Sequence, residues 1–164
     1  MSDIESRLNY LEDSAALETA FVAYLTAVDS GADMEGLLAC FTEDAVLDFS
    51  GLDNQRFEGH TNIRKFFSEG FAAHTHLAHF GSNFRVVRLK GAEADCSANV
   101  MATWCGRSGR EGLVYVRYDI AYVRQRKCWK FKTLAEKALM PVIPRSTASC
   151  RCDESERMYP AKDG

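Results

Sequence analysis

The stretch LAHFGSNFRVVRL (Leu77–Leu89), followed by ADCSANVMATWC (Ala94–Cys105), LVYVRYDIAYVR (Leu113–Arg124) and CWKFKTLAEKA (Cys128–Ala138), decides the fold of this chain. The segments are rich in Val, Tyr, Phe and Trp and are separated by KGAE, GRSGREG and a tight turn at QRK, the composition and punctuation of β-strands. Long consecutive strands joined by short loops pair antiparallel. Helical periodicity is confined to the residues before Leu77, so the helices gather ahead of the sheet and pack on one of its faces. The expected fold class is α+β.

Working towards the N-terminus, apolar residues recur at helical spacing from Leu8 to Val28, with Leu17, Phe21, Tyr24, Leu25 and Val28 on one stripe. Ser30-Gly31 stops this helix. Asp33 is placed to cap a second, short helix running through Phe41, with Leu37, Leu38 and Phe41 inward. Val46–Phe49 reads as a short strand followed by a polar loop. Gly59-His60-Thr61 then opens a helix in which Ile63, Phe66, Phe67 and Phe71 repeat at three- and four-residue steps. Beyond Ala138, two prolines precede mostly small and charged residues. The expected division is one domain over residues 1–140 and an irregular tail over 141–164.

The chain has 164 residues, 46% of them hydrophobic, and a net charge of -3, enough for one buried core. That charge argues against a nucleic-acid partner, which requires clustered Lys and Arg; the densest basic run, Arg124-Gln-Arg-Lys127, falls at the expected turn. No apolar run is long enough for a membrane or a signal peptide, so a cytoplasmic protein is expected. Its six cysteines then read as reduced thiols, and Cys150-Arg-Cys152 lacks the second ligand pair that zinc requires. Three of the four histidines crowd at His74, His76 and His79, without a carboxylate or fourth nitrogen spaced to complete a metal shell; no metal is expected.

Four further stretches, YLTAVDSGADMEGLLACFTEDAVLDFSG, FEGHTNIRKFF, HFGSNFRV and WKFKTL, together with the element order, resemble the NTF2-like superfamily, also called SnoaL-like. Within it they look like the branch containing scytalone dehydratase, hexachlorocyclohexane dehydrochlorinase and bile acid 7α-dehydratase. The resemblance spans about residues 8–138. It implies a cystatin-like cone: a strongly curved antiparallel sheet with about three helices against it. It also implies a buried dyad at Asp29 in AVDSG and His79 in AHFGSN, and a functional tyrosine at Tyr24, where the dehydrochlorinase carries a lysine. Scytalone dehydratase has a further histidine on its next strand; the matching CSANVMATW has none. Self-association as a dimer or trimer is implied, with no cofactor.

The residues fit this chemistry. Asp29 lies in the last turn of the first helix, where the macrodipole disfavours a carboxylate by about 0.3–1 kcal/mol unless a nearby cation offsets it. Strand alternation sends His79 to the face opposite His74, His76 and Phe80. A neutral imidazole whose second nitrogen is held by a carboxylate is a general base near neutral pH. Tyr24 can donate to an enolate oxygen or pack in the core. Phe49, Phe67, Phe84, Trp104, Tyr115 and Phe131, with the three-phenylalanine helix face, are candidate walls of an apolar substrate cavity. Asn99, Asp119 and Glu136 are polar strand residues that could orient a ligand if turned inward. Alternation alone leaves open which sheet face is concave.

The expected function is a cofactor-independent dehydratase acting on a small hydrophobic cyclic hydroxy-ketone: a polyketide, steroid or aromatic precursor. Two alternatives stand beside it. One is a proton-shifting isomerase using the same dyad, and the other is a non-catalytic ligand-binding module resembling the β subunit of ring-hydroxylating oxygenases.

Overall fold

The computed structural model describes residues 3–141 and 143–145. Helix α1 (Asp3–Ser30) has no internal glycine or proline and carries Asp3 and Glu5 in its first turn, where the helix dipole favours them. It starts earlier than its apolar stripe. Only from Leu17 onward does one face bury, through Leu17, Phe21, Tyr24, Leu25 and Val28, while Ile4, Leu8 and Leu11 stay exposed. Gly31 ends the helix in the left-handed conformation (φ 55°) and donates its N–H to the Ala27 carbonyl at 3.1 Å.

Asp33 caps α2 (Met34–Ala39) by accepting from the Gly36 N–H at 2.9 Å. The helix closes at Ala39, and Phe41, expected to end it, instead opens strand β1 (Phe41–Gly51). That strand is eleven residues long where four were expected, because its first half has no alternation to read. Glu43 and Asp44 are exposed within a register shift between Phe41 and Val46, and regular alternation begins only at Ala45. A three-residue edge strand, β2 (Arg56–Glu58), folds back antiparallel on β1 within the stretch read as loop.

Helix α3 (Gly59–Ala73) leads without a loop into β3 (His74–Lys90), and β4 (Glu93–Gly106), β5 (Glu111–Gln125) and β6 (Cys128–Ala138) follow as a meander. The sheet runs β2-β1-β6-β5-β4-β3. Its pairs are antiparallel except β1 with β6, which are parallel. The hairpin rule does not govern that pair, since α3 and four strands lie between its members in sequence. Within the segment expected to be irregular, β7 (Ile143–Arg145) pairs antiparallel with β5; Cys150, Cys152 and the rest of the tail lie outside the described residues.

The architecture is thus a curved mixed sheet with three helices on its concave side. At its floor Phe41, Leu47, Ile63, Tyr122, Phe131 and Leu134 are all but inaccessible to water. Each such side chain contributes roughly 1.5–3 kcal/mol of burial free energy. No helix among the described residues is long and apolar enough to cross a membrane.

Candidate active site

The last turn of α1 meets the exposed edge of β3. On an edge strand every second backbone N–H points away from the sheet. At His79 that N–H meets Asp29: Oδ2 accepts it at 3.0 Å, while Oδ1 accepts from the His79 ring Nδ1 at 2.5 Å. One histidine thus occupies both carboxylate oxygens. The arrangement answers the unfavourable position of Asp29 at a helix C-terminus, since hydrogen bonds to a charged group contribute about 1.5–3 kcal/mol each. It also fixes the Nδ1–H tautomer, leaving the lone pair on Nε2. The His79 side chain is 12% exposed and that of Asp29 28%.

His79 forms part of the wall of a cavity of about 440 Å³ between the helices and the sheet. Phe66, Phe67 and Phe71 of α3 face Leu77 of β3 and Trp104 of β4, with Phe49 and Leu52 at the β1 end. Trp104 lies flat across Gly112, where a Cβ would come within 1.9 Å of its indole ring. A side chain at 112 would push the indole off the sheet. On the outer side, between α1 and β3, a second groove also reaches Asp29 and His79.

The polar part of the cavity wall is a connected set. Tyr118 donates a hydrogen bond to the Glu136 carboxylate, and Tyr24 is hydrogen-bonded to Tyr118. Burial pushes the Glu136 carboxyl up to about 7; the bond from Tyr118 works against this and the charge of Asp53 adds to it. Burial also raises both phenols well above their ordinary value, and the charges of Glu136 and Asp29 raise them further. His74 donates from Nδ1 to the Gly70 carbonyl at 2.7 Å and stands edge-on to Trp104, with ring centroids 6.3 Å apart.

Of the residues singled out from the sequence, the structure gathers Tyr24, His79, Phe49, Phe67, Trp104 and Glu136 around this cavity. Five of the proposed site residues lie elsewhere. Asn99 and Tyr115 are one residue out of phase with Ala102, Trp104, Val114 and Tyr118, so alternation turns them to the other face of the sheet. Asp119 shares that face and pairs there with Arg117 and Lys137. Phe131 is on the concave side but belongs to the floor, packed under Tyr24 with centroids 4.9 Å apart. Phe84 stacks on Phe21 at 5.3 Å and faces the outer groove.

His74 was expected opposite His79 but shares its cavity. An extra residue in β3 between His74 and His76 reverses the alternation there. His74, Leu77, Ala102, Val114 and Tyr118 are lining residues that sequence reasoning passed over. All except His74 follow by alternation once Trp104 and His79 are known to point inward. Among the described residues, no three His, Cys, Asp or Glu side chains are gathered as a metal-binding set.

A curved sheet wrapped around an aromatic cavity, with an Asp–His pair where the first helix meets the edge strand, defines a protein of the NTF2-like, cystatin-like class. The chain belongs to the SnoaL-like domain family, whose model matches residues 9–135. A protein of Novosphingobium aromaticivorans described as a candidate aromatic ring hydroxylase is 37% identical, with 82% of this chain and 94% of that one covered and a TM-score of 0.79. A candidate scytalone dehydratase from the same organism shares the fold at 21% identity, with 94% and 97% covered and a TM-score of 0.75. A hexachlorocyclohexane dehydrochlorinase of Novosphingobium barchaimii shares it at 19%, with 85% and 94% covered and a TM-score of 0.74. No functionally curated protein matches the sequence.

Proposed function

We propose that the chain is a cofactor-independent lyase, a dehydratase of a hydrophobic cyclic hydroxy-ketone such as a polyketide, steroid or aromatic precursor. One observation carries this reading: His79 stands on the wall of an aromatic cavity with Nδ1 held by Asp29 at 2.5 Å. So held, the imidazole takes a proton at Nε2, and the carboxylate stabilises the cation that forms. The apolar wall suits a ring, and the cavity volume lies within the usual range for small-molecule sites. His79 removes the proton next to the substrate carbonyl. The phenol of Tyr24, kept protonated by burial, is the O–H donor available to the enolate oxygen. The β-hydroxyl then departs as water.

The test is turnover of a panel of cyclic β-hydroxy-ketones followed by mass spectrometry. Wild type is expected to release water. His79→Ala and Asp29→Asn are each expected to lose about 10²–10⁴-fold in kcat with unchanged circular dichroism. Retained turnover in both variants removes the dyad from the mechanism. A product of unchanged mass makes the same dyad that of a proton-shifting isomerase.

The description of the 37% identical neighbour supports a second reading, a non-catalytic subunit resembling the β subunit of a ring-hydroxylating oxygenase. Copurification with a large iron–sulfur subunit, without turnover of the panel, selects that reading over the first.

A further inference from the structure

Glu136 is a carboxyl group with no cationic partner on the wall of a water-accessible cavity. Among the described residues neither Lys nor Arg lies within ion-pair distance of it; the neighbouring Lys137 points to the other face and pairs with Asp119. The groups around it are Tyr118 of β5, Tyr24 of α1, Asp53 beyond β1, and His74 and His79 of β3. Only the two histidines can become cations. The charges of Asp29 and Glu136 both act on Tyr24 and Tyr118, so the phenols feel both carboxyl groups. Such a pair of carboxyls in contrasting surroundings divides naturally into acid and base. Asp29 accepts from two N–H donors of His79 and so supports a base, whereas Glu136, with a phenol as its hydrogen-bond partner, retains its proton to about neutral pH.

We propose that Glu136 is a catalytic residue: the carboxylic acid that protonates the departing hydroxyl. This rests on the dehydratase reading above and assigns the half of the reaction that the Asp29–His79 pair does not perform. Nε2 of His79 takes the α-proton, and the electron pair of that C–H bond becomes the enolate. As the enolate collapses, the C–O bond to the β-hydroxyl breaks with its electron pair on oxygen, which takes the Glu136 proton and leaves as water. The enzyme is left with Glu136 ionised and His79 protonated, and one proton passing from imidazolium to carboxylate through solvent restores it. Tyr118 is a positioning residue, holding the carboxyl towards the cavity.

The experiment uses a bicyclic probe, β-hydroxytetralone, whose loss of water gives naphthol, beside its β-acetoxy ester. Acetate leaves without a proton, so only the hydroxy compound requires an acid. Glu136→Gln keeps an acceptor for Tyr118 and removes the proton. It is expected to slow naphthol formation from the hydroxy probe by about 10²–10³-fold while leaving the acetoxy probe within a few-fold of wild type. The loss of wild-type activity as pH rises through about 7 is expected to vanish with it. Tyr118→Phe, which leaves the carboxyl in place, is expected to move that limb to higher pH, because the lost hydrogen bond had favoured the carboxylate. This variant carries the test if Glu136→Gln does not fold. Equal slowing of both probes, or an unmoved limb in Tyr118→Phe, overturns the role of Glu136 and leaves the dyad standing. A wild-type protein that converts neither probe overturns both.

Discussion

Two carboxyl groups in this site differ only in what surrounds them. Asp29 is held by the backbone and ring N–H groups of a single residue, while Glu136 has a phenol and an apolar wall. The contrast has a consequence for stability. The native state keeps Glu136 protonated to about 7, whereas an unfolded glutamate releases its proton near 4.5. Between these values the folded protein binds more protons than the unfolded one, so stability falls as pH rises through that window. The loss is complete above about pH 7 and amounts to about 3 kcal/mol, because each tenfold difference in proton affinity between the two states corresponds to about 1.4 kcal/mol. Glu136→Gln has no such titration. Urea unfolding at pH 8 should find the variant more stable than wild type, with the difference shrinking towards pH 5; a difference that does not depend on pH would contradict the burial of a protonated carboxyl.

At the scale of elements, the site depends on where strands break their own rules. His79 can bind Asp29 through its backbone because β3 is an edge strand, and His74 joins the cavity because β3 holds one extra residue after it. Gly112 matters in the same way: β5 must be bare there for the Trp104 indole to lie on it. Gly112→Ala puts a methyl group where ring atoms now stand and is expected to tip the indole into the cavity. Overpacking of this kind costs about 1–3 kcal/mol. The variant should show a lower urea midpoint, altered tryptophan fluorescence and weaker binding of apolar ring compounds; an unchanged spectrum would mean the indole is not seated on β5. These same features mark the limit of sequence reading. The long strands and the stripe of α1 were legible because periodicity is a repeated signal, whereas a single inserted residue in β3, or the exposed acidic irregularity inside β1, leaves no periodic trace.

Across the whole molecule, the concave face of the sheet divides into a sealed floor and an open cavity, and composition cannot tell one from the other. Phe131 and Trp104 are both large aromatics on inward strand positions, and the sequence treats them alike. Only the three-dimensional arrangement puts Phe131 beneath Tyr24, Phe41 and Tyr122 while leaving Trp104 on a cavity wall. The Asp29–His79 pairing was legible solely through family resemblance, since the residues are fifty positions apart and nothing local links them. The division predicts an order of stabilities. Phe131→Ala empties a site on which α1, β1 and β5 all rest and should cost about 3–5 kcal/mol. Trp104→Ala removes a side chain already bordering open space, so it should cost clearly less while abolishing retention of aromatic ligands. Urea midpoints of the two variants, measured with and without a bound ring compound, decide the matter. If truncating Trp104 destabilises the protein more than truncating Phe131, the space beside the dyad is core and not a substrate site.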